Sequence, residues 1–397
     1  MNIGIASPAD IRYFLPFFSE GNSVRIIENN WANRQATHTH ILIKTFLEQG
    51  HYVRLFTTAK EDFIIRGKGI DIYGIAEVQS YPLKYLWSNF INSRRISKAL
   101  NSGIEDLDVL HCQWTYEFAH AGSRFTGQLP VFCTIRDWTN LIWTMVSPKD
   151  KITWSFRWVM NELVFRKTGL HFIANSPYTA ALAKRKLHRD IPIIPNSIND
   201  SFLRSDKKTP PGRLRILCVS SGNDKWKNIK NLIIGFRKVL EEYPDAELTL
   251  VGPSFKKGDP VMEAWRKEGL MGHVLLAGFV THDDLKKYFD EAGIFVCPSI
   301  EESFGNILIE GMARKVPVIG GKDSGAVPYV LDFGKAGFLC DVRNPRSIAD
   351  TIIHVFEHRE EAQRKADLAF ENLRTHYTAS VVAQKHIDLY ASQIKQK

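Results

Sequence analysis

Short runs of almost continuous apolar residues alternate with amphipathic helical stretches along this chain of 397 residues, and the alternation occurs twice. Strands that are apolar on both faces and separated by helices are typical of parallel sheets covered by helices. The sequence therefore predicts an α/β fold with two doubly wound, Rossmann-like domains facing a central cleft, in which ligands bind beyond the carboxyl ends of the strands. The predicted strands are Ile3–Ala6, Tyr52–Phe56, Val109–Cys112, Val131–Ile135, His171–Ala174, Ile191–Ile194, Arg215–Val219, Glu247–Val251, His273–Ala277, Ile294–Cys297 and Val316–Ile319.

The strongest candidate for a domain boundary is the polar segment Arg204–Arg213, which contains two prolines and a glycine between two apolar-rich halves. It separates a first domain, residues 1–205, from a second domain, residues 206–380. The tail is predicted to be helical from about Pro345, and its last helix occupies residues 381–397.

The composition is that of an ordinary globular protein, with 44% hydrophobic and 24% charged residues, which excludes a disulfide-stabilised miniprotein and a disordered chain. The start of the sequence has no basic segment followed by an apolar one, and no apolar run reaches the ~20 residues that cross a bilayer. We therefore expect a cytoplasmic protein. The five cysteines are scattered singly, so buried free thiols are expected.

The positive charge is concentrated in the first half. Residues 1–205 contain 24 Lys and Arg against 17 Asp and Glu (+7), and residues 206–397 contain 28 against 26 (+2). Within 151–189, eight basic residues and several aromatic ones accompany a single acid, Glu162. Trp154 and Trp158 would share one helix face. This composition fits a helix at an anionic membrane surface, or an ordinary amphipathic helix with its aromatic side chains packed inward.

The segment Val296–Ala313 contains the most informative motif in the chain. A strand is predicted to end at Pro298, and a helix to begin near Ser303–Asn306. Glu302 and Glu310 are eight residues apart, about two helical turns, so their side chains can point the same way. Free N–H groups at a helix start bind anions and hydroxyls, and a glycine at 305 lets a ligand approach the backbone.

This segment, followed by Val316–Ile319 and by Gly325-x-x-Pro328, resembles the donor-site signature of glycosyltransferase family 4. The resemblance covers the second domain well and continues more weakly in the first, in Gln49–Val53, Asp108–His111, Ile173–Ser176 and Ile193–Ser197. It implies a GT-B fold and retaining transfer from a nucleotide sugar. It also implies that the second domain binds the donor, that the first faces the acceptor, and that the last helix crosses back to the first domain.

The resemblance also implies roles for individual residues. Glu302 would lie beside the hydroxyls and anomeric centre of the donor sugar, and Glu310 would accept hydrogen bonds from the ribose. In the loop Ser220–Asn228, Lys227 would hold the pyrophosphate. Family members usually have an arginine early in that loop; here serines and a glycine occupy the position, and Lys225 is a candidate substitute. The expected donor-binding residues are Glu310, Ser303, Phe304, Gly305, Asn306, Ile307, Ser221, Lys225, Arg34 and Val280.

The first domain departs from the family pattern at two positions. Asn33-Arg34 stands where a Gly-Gly pair is usual, and Arg34 would bring a positive charge to the phosphates. Arg136 replaces the histidine that often precedes the aspartate, here Asp137. The expected catalytic residues are Glu302, Lys227, Asp137 and Arg136. The candidate acceptor contacts are His111, Gln113 and Trp138; for His111 the alternative is a satisfied core histidine, and for the tryptophan it is ordinary burial.

The resemblance implies a retaining glycosyltransferase that moves a sugar from a UDP- or GDP-linked donor to a hydroxyl acceptor, most commonly in cell-surface polysaccharide or glycolipid assembly. A lipid-linked saccharide is a possible acceptor and an anionic membrane a possible partner. No metal ion or other cofactor is expected, because the sequence has no His-x-Glu-x-x-His pattern and a helix start is enough to explain the paired acids Asp283-Asp284. The alternatives are a nucleotide-sugar epimerase of the same architecture and a non-catalytic basic binding protein. Nucleic acid is not expected as a partner, since no known nucleic-acid motif occurs.

Overall fold

The protein is described by a computed structural model, in which residues 1–30, 36–78, 85–204 and 214–395 are described. The chain divides into two compact units. Unit 1 consists of Met1–Ser197 and Ala379–Lys397, and unit 2 of Ile198–Thr378. These divisions fall eight and two residues before the boundaries predicted at 205 and 380. Of the predicted linker, Arg204–Arg213, residues 205–213 lie outside the described residues.

The strands come in two sets, one in each unit. They are β1 (Asn2–Ala6), β2 (Tyr52–Ala59), β3 (Phe63–Arg66), β4 (Ile70–Ala76), β5 (Val109–Gln113), β6 (Val131–Ile135) and β7 (Leu170–Ala174) in unit 1, and β8 (Arg215–Val219), β9 (Glu247–Val251), β10 (Val274–Gly278), β11 (Ile294–Cys297), β12 (Val318–Gly321) and β13 (Phe338–Cys340) in unit 2. Among the described residues, unit 1 forms one sheet in the order β3-β4-β2-β1-β5-β6-β7, parallel except for the β3–β4 pair. Unit 2 forms a parallel sheet in the order β10-β9-β8-β11-β12-β13.

Helices connect the parallel strands in both units. They are α1 (Glu20–Asn29), α2 (Thr37–Glu48), α3 (Tyr85–Gly103), α4 (Glu117–Gly122), α5 (Thr139–Met145), α6 (Lys151–Phe165), α7 (Pro177–Leu187), α8 (Ile229–Glu242), α9 (Pro260–Lys267), α10 (His282–Glu291), α11 (Asn306–Ala313), α12 (Val327–Val330), α13 (Pro345–Glu357), α14 (Arg359–His376) and α15 (Ala379–Ile394). The expected α/β class with two Rossmann-like domains is confirmed. Within the described ranges, none of these helices is both long and apolar enough to span a bilayer.

Two sequence expectations for unit 1 need correction. Residues 191–194 do not form a strand; Ile193 makes only an isolated bridge to Ala174. Pro192 lies within this segment and Pro195 directly follows it, and proline has no N–H to donate to a ladder. The sequence analysis also missed the β3–β4 hairpin, in which the turn around Gly69, with φ of 78°, reverses the chain.

The last helix belongs to the core of unit 1. In α15, the side chains of Val382, Ala383 and Tyr390 are buried in the same cluster as residues of β1, β2 and α2. The Tyr390 hydroxyl lies 2.6 Å from Nδ1 of His111 on β5. The chain therefore returns to unit 1 after completing unit 2.

All five cysteines are buried and free, as the sequence analysis expected.

In both units, the order of the strands in the sheet reverses at the strand that comes first in the chain. In unit 1, β1 lies between β2 and β5, and the later strands continue outward on both sides; in unit 2, β8 lies between β9 and β11 in the same way. Such a reversal opens a crevice at the carboxyl ends of the strands, where ligands of doubly wound sheets bind.

Candidate active site

Three loops meet at the carboxyl edge of the sheet of unit 2, following β8, β11 and β12, which are adjacent in the sheet. The backbone N–H of Ile300 donates to the carbonyl of Trp226 over 2.7 Å, and joins the β11 loop to the β8 loop. The N–H of Ala326 donates to the carbonyl of Glu302 over 2.8 Å, and joins the β12 loop to the β11 loop. The crevice beside β8 is thus bordered by loops that hold one another in place.

Lys227 and Glu302 form an ion pair across this crevice. Nζ of Lys227 lies 2.6 Å from Oε1 of Glu302, and the two side chains are 19% and 16% exposed. Burial lowers the pKa of Lys227, but the carboxylate of Glu302 more than offsets it, and the net pKa is raised. Lys227 is therefore a fixed, desolvated cation, not the exposed loop lysine that its position in the sequence suggests.

Asn228 positions Lys227, and the sequence analysis did not identify it. It is buried, has a φ of 57°, and stands at the start of α8. Its side-chain Nδ2 donates to the carbonyls of Pro298, at 3.1 Å, and of Val342, at 2.6 Å. The available signal was an asparagine just before a helix, since asparagine adopts the left-handed conformation more readily than most residues.

The β11 loop turns into α11 through Gly305, which has a φ of 88°. This conformation favours glycine, and a Cβ there would lie 2.8 Å from the end of the Leu308 side chain, which would have to shift. The Phe304 side chain is 1% exposed and packs edge-on against Tyr377, so only its backbone can face a ligand. Asn306 is exposed at the first position of the helix.

Glu310, on α11, pairs with a residue that the sequence analysis did not single out. Oε1 of Glu310 lies 3.3 Å from Nε2 of His282, at the start of α10, and the ring of His282 lies 4.6 Å from that of Phe202. The Glu310 side chain is only 13% exposed. Val280, two residues before His282, is partly buried.

The remaining predicted residues of unit 2 are less constrained. Ser221 and Lys225 are exposed in the β8 loop, and Ser303 and Ile307 are partly buried in the β11 loop and α11. Two buried polar atoms beside these loops, Nε1 of Trp226 and Oγ of Ser324, have no hydrogen-bond partner in the described parts of the chain. A buried donor without a partner is unfavourable, so atoms of this kind mark places that a ligand can complete.

In unit 1, the predicted residues lie at the carboxyl edge of β5 and β6. His111 is fully buried; its Nδ1 lies 2.6 Å from the Tyr390 hydroxyl and its Nε2 lies 2.7 Å from that of Thr134. Gln113 is also fully buried, and its Oε1 accepts from Nε and Nη2 of Arg136, at 2.9 and 2.6 Å. Both are core residues, which corrects their assignment as acceptor contacts: for His111 the alternative interpretation applies.

Asp137 and Trp138 follow Arg136 directly and are partly buried. The carboxylate of Asp137 accepts a hydrogen bond from the hydroxyl of Tyr116 at 2.7 Å. Burial raises the pKa of Asp137 to about 6, although this bond and the charge of Arg157 act against it. Trp138 packs against Phe165 of α6, with ring centroids 5.4 Å apart. Arg34 lies outside the described residues.

Comparison with known proteins supports one family for both units. The profile described as "Glycosyltransferase Family 4" matches residues 35–202, and the one described as "Glycosyl transferases group 1" matches residues 200–369. An N-acetyl-alpha-D-glucosaminyl L-malate synthase from Bacillus anthracis is 29% identical over 167 residues, 41% of this chain and 42% of that protein. The chain thus matches less than half the length of this and some other curated relatives.

Solved structures show the same fold at low sequence identity. A sucrose-phosphate synthase from Thermosynechococcus elongatus superposes with a TM-score of 0.77 at 16% identity, covering 100% of both chains. The Anabaena protein Alr3699/HepE, solved in complex with UDP-glucose, superposes with a TM-score of 0.67 at 17% identity, covering 99% of this chain and 100% of that one.

Proposed function

This chain belongs to glycosyltransferase family 4, with the GT-B fold, and we propose that it transfers a hexose from a nucleotide-sugar donor to a hydroxyl acceptor with retention at the anomeric carbon. The observation that carries this proposal is the fixed Lys227–Glu302 pair at the carboxyl edge of unit 2, with Glu310 on the same short segment. Carboxylates suit the hydroxyls of a sugar and a ribose, and a desolvated lysine suits a pyrophosphate.

The donor site supports separate roles for the two glutamates. Glu302 is held beside a cation, and its backbone carbonyl is fixed by Ala326, so its carboxylate has a defined direction. Glu310 lies within α11, whereas Glu302 lies in the loop before that helix, and Oε1 of Glu310 is 3.3 Å from Nε2 of His282. A carboxylate has about four lone-pair sites, so Glu310 keeps acceptor capacity for the two ribose hydroxyls. UDP as the nucleotide is supported by the complex of the Anabaena protein with UDP-glucose.

In the proposed reaction, the bond between the anomeric carbon and the diphosphate oxygen breaks, and the acceptor oxygen bonds to the same face of that carbon. The electron pair of the broken bond stays on the diphosphate, and the acceptor proton passes to it. Lys227 and the N–H groups at the start of α11 would stabilise the developing negative charge. Lys227 must then exchange part of its contact with Glu302 for the phosphate oxygens.

An epimerase and a non-catalytic binding protein are less well supported alternatives. An epimerase would convert the donor without an acceptor, and analysis of products after incubation with donor alone distinguishes it. A binding protein with a vestigial sugar site would have no reason to keep a charged pair in a desolvated crevice, where the isolated charges would be unfavourable.

The decisive experiment is a screen of UDP- and GDP-linked sugars for thermal stabilisation, followed by product analysis with the sugar that binds. A ligand that binds only the folded protein raises its apparent stability by mass action. We expect one nucleotide sugar to stabilise the protein, and Glu310→Gln to weaken that effect. If no nucleotide or nucleotide sugar stabilises the protein at millimolar concentration, the proposed function is wrong.

For the acceptor, we propose a saccharide presented at an anionic membrane surface, as in cell-surface polysaccharide or glycolipid assembly. On α6, Ile152, Trp158 and Val159 are 61%, 37% and 51% exposed, whereas Met160 and Phe165 are buried. The alternative interpretation, an ordinary amphipathic helix with its aromatic side chains packed inward, therefore explains the buried face of α6 but not its exposed apolar side chains. Helix α3 packs against α6 and exposes Trp87 and Ile91.

Basic side chains accompany this apolar surface. Arg166, Lys167 and Arg185 are exposed, while Lys186 pairs with Glu162 and Lys184 with Asp190. Each charge facing an anionic leaflet contributes about 1 kcal/mol, enough for reversible binding. Co-sedimentation with vesicles containing phosphatidylserine should occur at low salt and weaken at high salt. Equal sedimentation with neutral vesicles, or none at low salt, would contradict membrane docking.

A further inference from the structure

The guanidinium of Arg136 is a buried charge with only neutral acceptors. Its Nε and Nη2 donate to Oε1 of Gln113, and its Nη1 donates to Oδ1 of Asn196. The residue is 9% exposed, and in the described parts of the chain it has no carboxylate partner. These bonds leave one N–H on each of Nη1 and Nη2 without an acceptor there, because arginine has five N–H donors.

The groups packed around Arg136 do not supply the missing negative charge. Burial lowers the pKa of His386 to about 3 and holds the pKa of His111 well below its usual value, so both rings are neutral. The Tyr390 phenol is buried and its pKa is raised, so it is neutral as well. Asp137, next in the chain, bonds to Tyr116 instead of Arg136. The surroundings therefore contain a cation without a counter-ion.

A second group of atoms nearby also lacks partners. His38 lies in the first turn of α2, and its Nε2 is buried without a hydrogen-bond partner in the described residues; the same holds for Oγ1 of Thr39. Arg136 is close enough to lower the pKa of His38 electrostatically, after the larger effect of burial. Among the described residues, which do not include 31–35, no side chain caps the α2 N-terminus at Ala36.

The backbone beside these residues is strained. Trp114, directly after Gln113 at the end of β5, has a φ of 62°, and its ring lies 5.6 Å from that of His38. A bulky residue in the left-handed region costs about 1–3 kcal/mol and persists only where the surrounding structure imposes it. Strain of this kind is concentrated at ligand sites.

We propose that Arg136, His38 and the start of α2 bind an anionic substituent of the substrate, a carboxylate or a phosphate group carried by the sugar or the acceptor. Two parallel N–H groups of a guanidinium match two oxygens of either group, and a helix N-terminus favours negative charge. This inference rests on the proposed function only in that it takes the anion to be part of a sugar substrate. Such a site would make the protein selective for a charged sugar, such as a hexuronic acid or a sugar phosphate, over a neutral one.

A purely structural role for Arg136 is the competing explanation. A buried charge is unfavourable unless paired, and apolar side chains of similar volume usually serve a core at least as well. Unit 1 itself offers the comparison: Arg54, whose side chain is 16% exposed, donates to two backbone carbonyls and lies 3.9 Å from the carboxylate of Asp71. Arg54 thus has a counter-ion, whereas Arg136 has none among the residues that the structure describes.

The test is binding of glucuronate, glucose 6-phosphate and glucose to the full chain without any nucleotide, measured by calorimetry and thermal stabilisation at constant ionic strength in sodium chloride. We expect one anionic probe to bind at least about tenfold more tightly than glucose, since hydrogen bonds to charged groups are worth that much or more. Glucuronate and glucose 6-phosphate distinguish a carboxylate from a phosphate. Arg136→Gln should remove the preference, and Arg136→Lys should reduce it less.

Two further variants keep the test informative. Arg54→Gln, the matched control, should bind the anionic probe like the wild type, although it is less stable. Because Nε2 of His38 has no hydrogen-bond partner in the described residues, His38→Leu breaks no hydrogen bond of that atom, but it should weaken anion binding severalfold. It serves as the test variant if Arg136→Gln fails to fold. The proposal is overturned if the anionic probes bind no better than glucose, or if the folded variants at 136 and 38 retain the preference. A protein that binds the anion but transfers no sugar would refute the proposed function and not this site.

Discussion

The Lys227–Glu302 pair allows a prediction in which stability and catalysis respond differently. Lys227→Met removes the cation but keeps an apolar stem of similar length, and leaves the 16%-exposed carboxylate of Glu302 without its partner 2.6 Å away. Breaking a fully buried pair costs about 3–5 kcal/mol, and an exposed pair is worth about 0.2–1 kcal/mol. At this intermediate exposure we expect a loss of about 2 kcal/mol, or a fall in the unfolding midpoint of roughly 4–8 °C.

The double variant Lys227→Met/Glu302→Gln should recover much of this loss, because neither charge is then left alone in the crevice. Its activity should not recover: we expect kcat/KM for both the single and the double variant to fall by about 10²–10³, the usual effect of losing one charge donor to the transition state. Chemical denaturation and steady-state kinetics on the four proteins of this cycle measure the two effects separately.

A matched control lies in the same unit. Lys230 and Glu268 form an ion pair of 2.8 Å with side chains 47% and 50% exposed. The same cycle at these positions should give a coupling of about 0.5 kcal/mol or less and unchanged transfer. If the coupling at Lys227 and Glu302 is no larger than this control, or if Lys227→Met keeps activity within about threefold, the assigned role of the pair is wrong.

Three other predictions follow from the two units. Glu310→Gln should raise the Kd for the nucleotide by about tenfold with a smaller effect on kcat, since the ribose contact is made in the ground state as well; a fall in kcat alone would contradict the ribose role. Transfer should persist in excess EDTA, because Lys227 and backbone N–H groups take the place of a cation at the pyrophosphate; complete loss that Mg²⁺ or Mn²⁺ restores would refute this. A chain ending before Val381 should lose the buried side chains of Val382 and Tyr390 and be strongly destabilised, as measured by thermal unfolding; a truncated protein as stable and active as the full chain would contradict that role.

The parallel sheets were predictable from the sequence because burial on both faces makes a strand apolar throughout. That signal located ten of the eleven predicted runs correctly, and it failed at 191–194, where prolines interrupt an apolar run. It also missed β13, which has three residues and pairs only at its edge of the sheet. A run of apolar residues therefore locates a strand only where the backbone N–H groups are available for the hydrogen bonds of the sheet.

The site was predictable only where one loop contains several of its residues. Glu302, Gly305 and Glu310 lie within nine residues, and a pattern of that kind can be recognised in a single segment. Asn228 and His282 were not found, since their roles depend on contacts with Val342 and Glu310, which are far from them in sequence. Long-range hydrogen bonds follow from the strand order, which the sequence does not state directly.

Burial of charge was the property that sequence reasoning judged least well. A lysine in a loop and an arginine after a strand are ordinarily exposed, yet Lys227 and Arg136 are both largely removed from water. In the parts of the chain that the structure describes, Lys227 has a carboxylate partner and Arg136 does not. This difference separates the two sites. The positive charge of Lys227 is neutralised by Glu302 before a ligand binds, whereas the positive charge of Arg136 has only neutral hydrogen-bond acceptors.

Asp137 allows a test of burial by pH. Its pKa is raised to about 6, against about 3.9 in an unfolded chain, so ionisation is harder in the folded protein. Because the folded protein binds the Asp137 proton more tightly than the unfolded chain does, this group increases the free energy of unfolding below about pH 4. The contribution is lost as the pH rises from about 4 to 6. Two pKa units correspond to about 3 kcal/mol. Asp137→Asn stays neutral at every pH and can still accept the Tyr116 hydrogen bond. Its stability relative to the wild type should rise by up to that amount between pH 4 and pH 7.5.

Urea denaturation of both proteins at half-unit pH steps measures this difference. The buried histidines, such as His40, whose pKa is lowered to about 4, destabilise both proteins equally as the pH falls through about 6.5 to 4, and so cancel. Asp190→Asn, at a side chain that is 89% exposed, should stay within about 0.5 kcal/mol of the wild type throughout. A difference between Asp137→Asn and the wild type that is constant from pH 4 to 7.5 would show that Asp137 is solvated, and that the edge of β6 is open to water where Arg136 requires it to be closed.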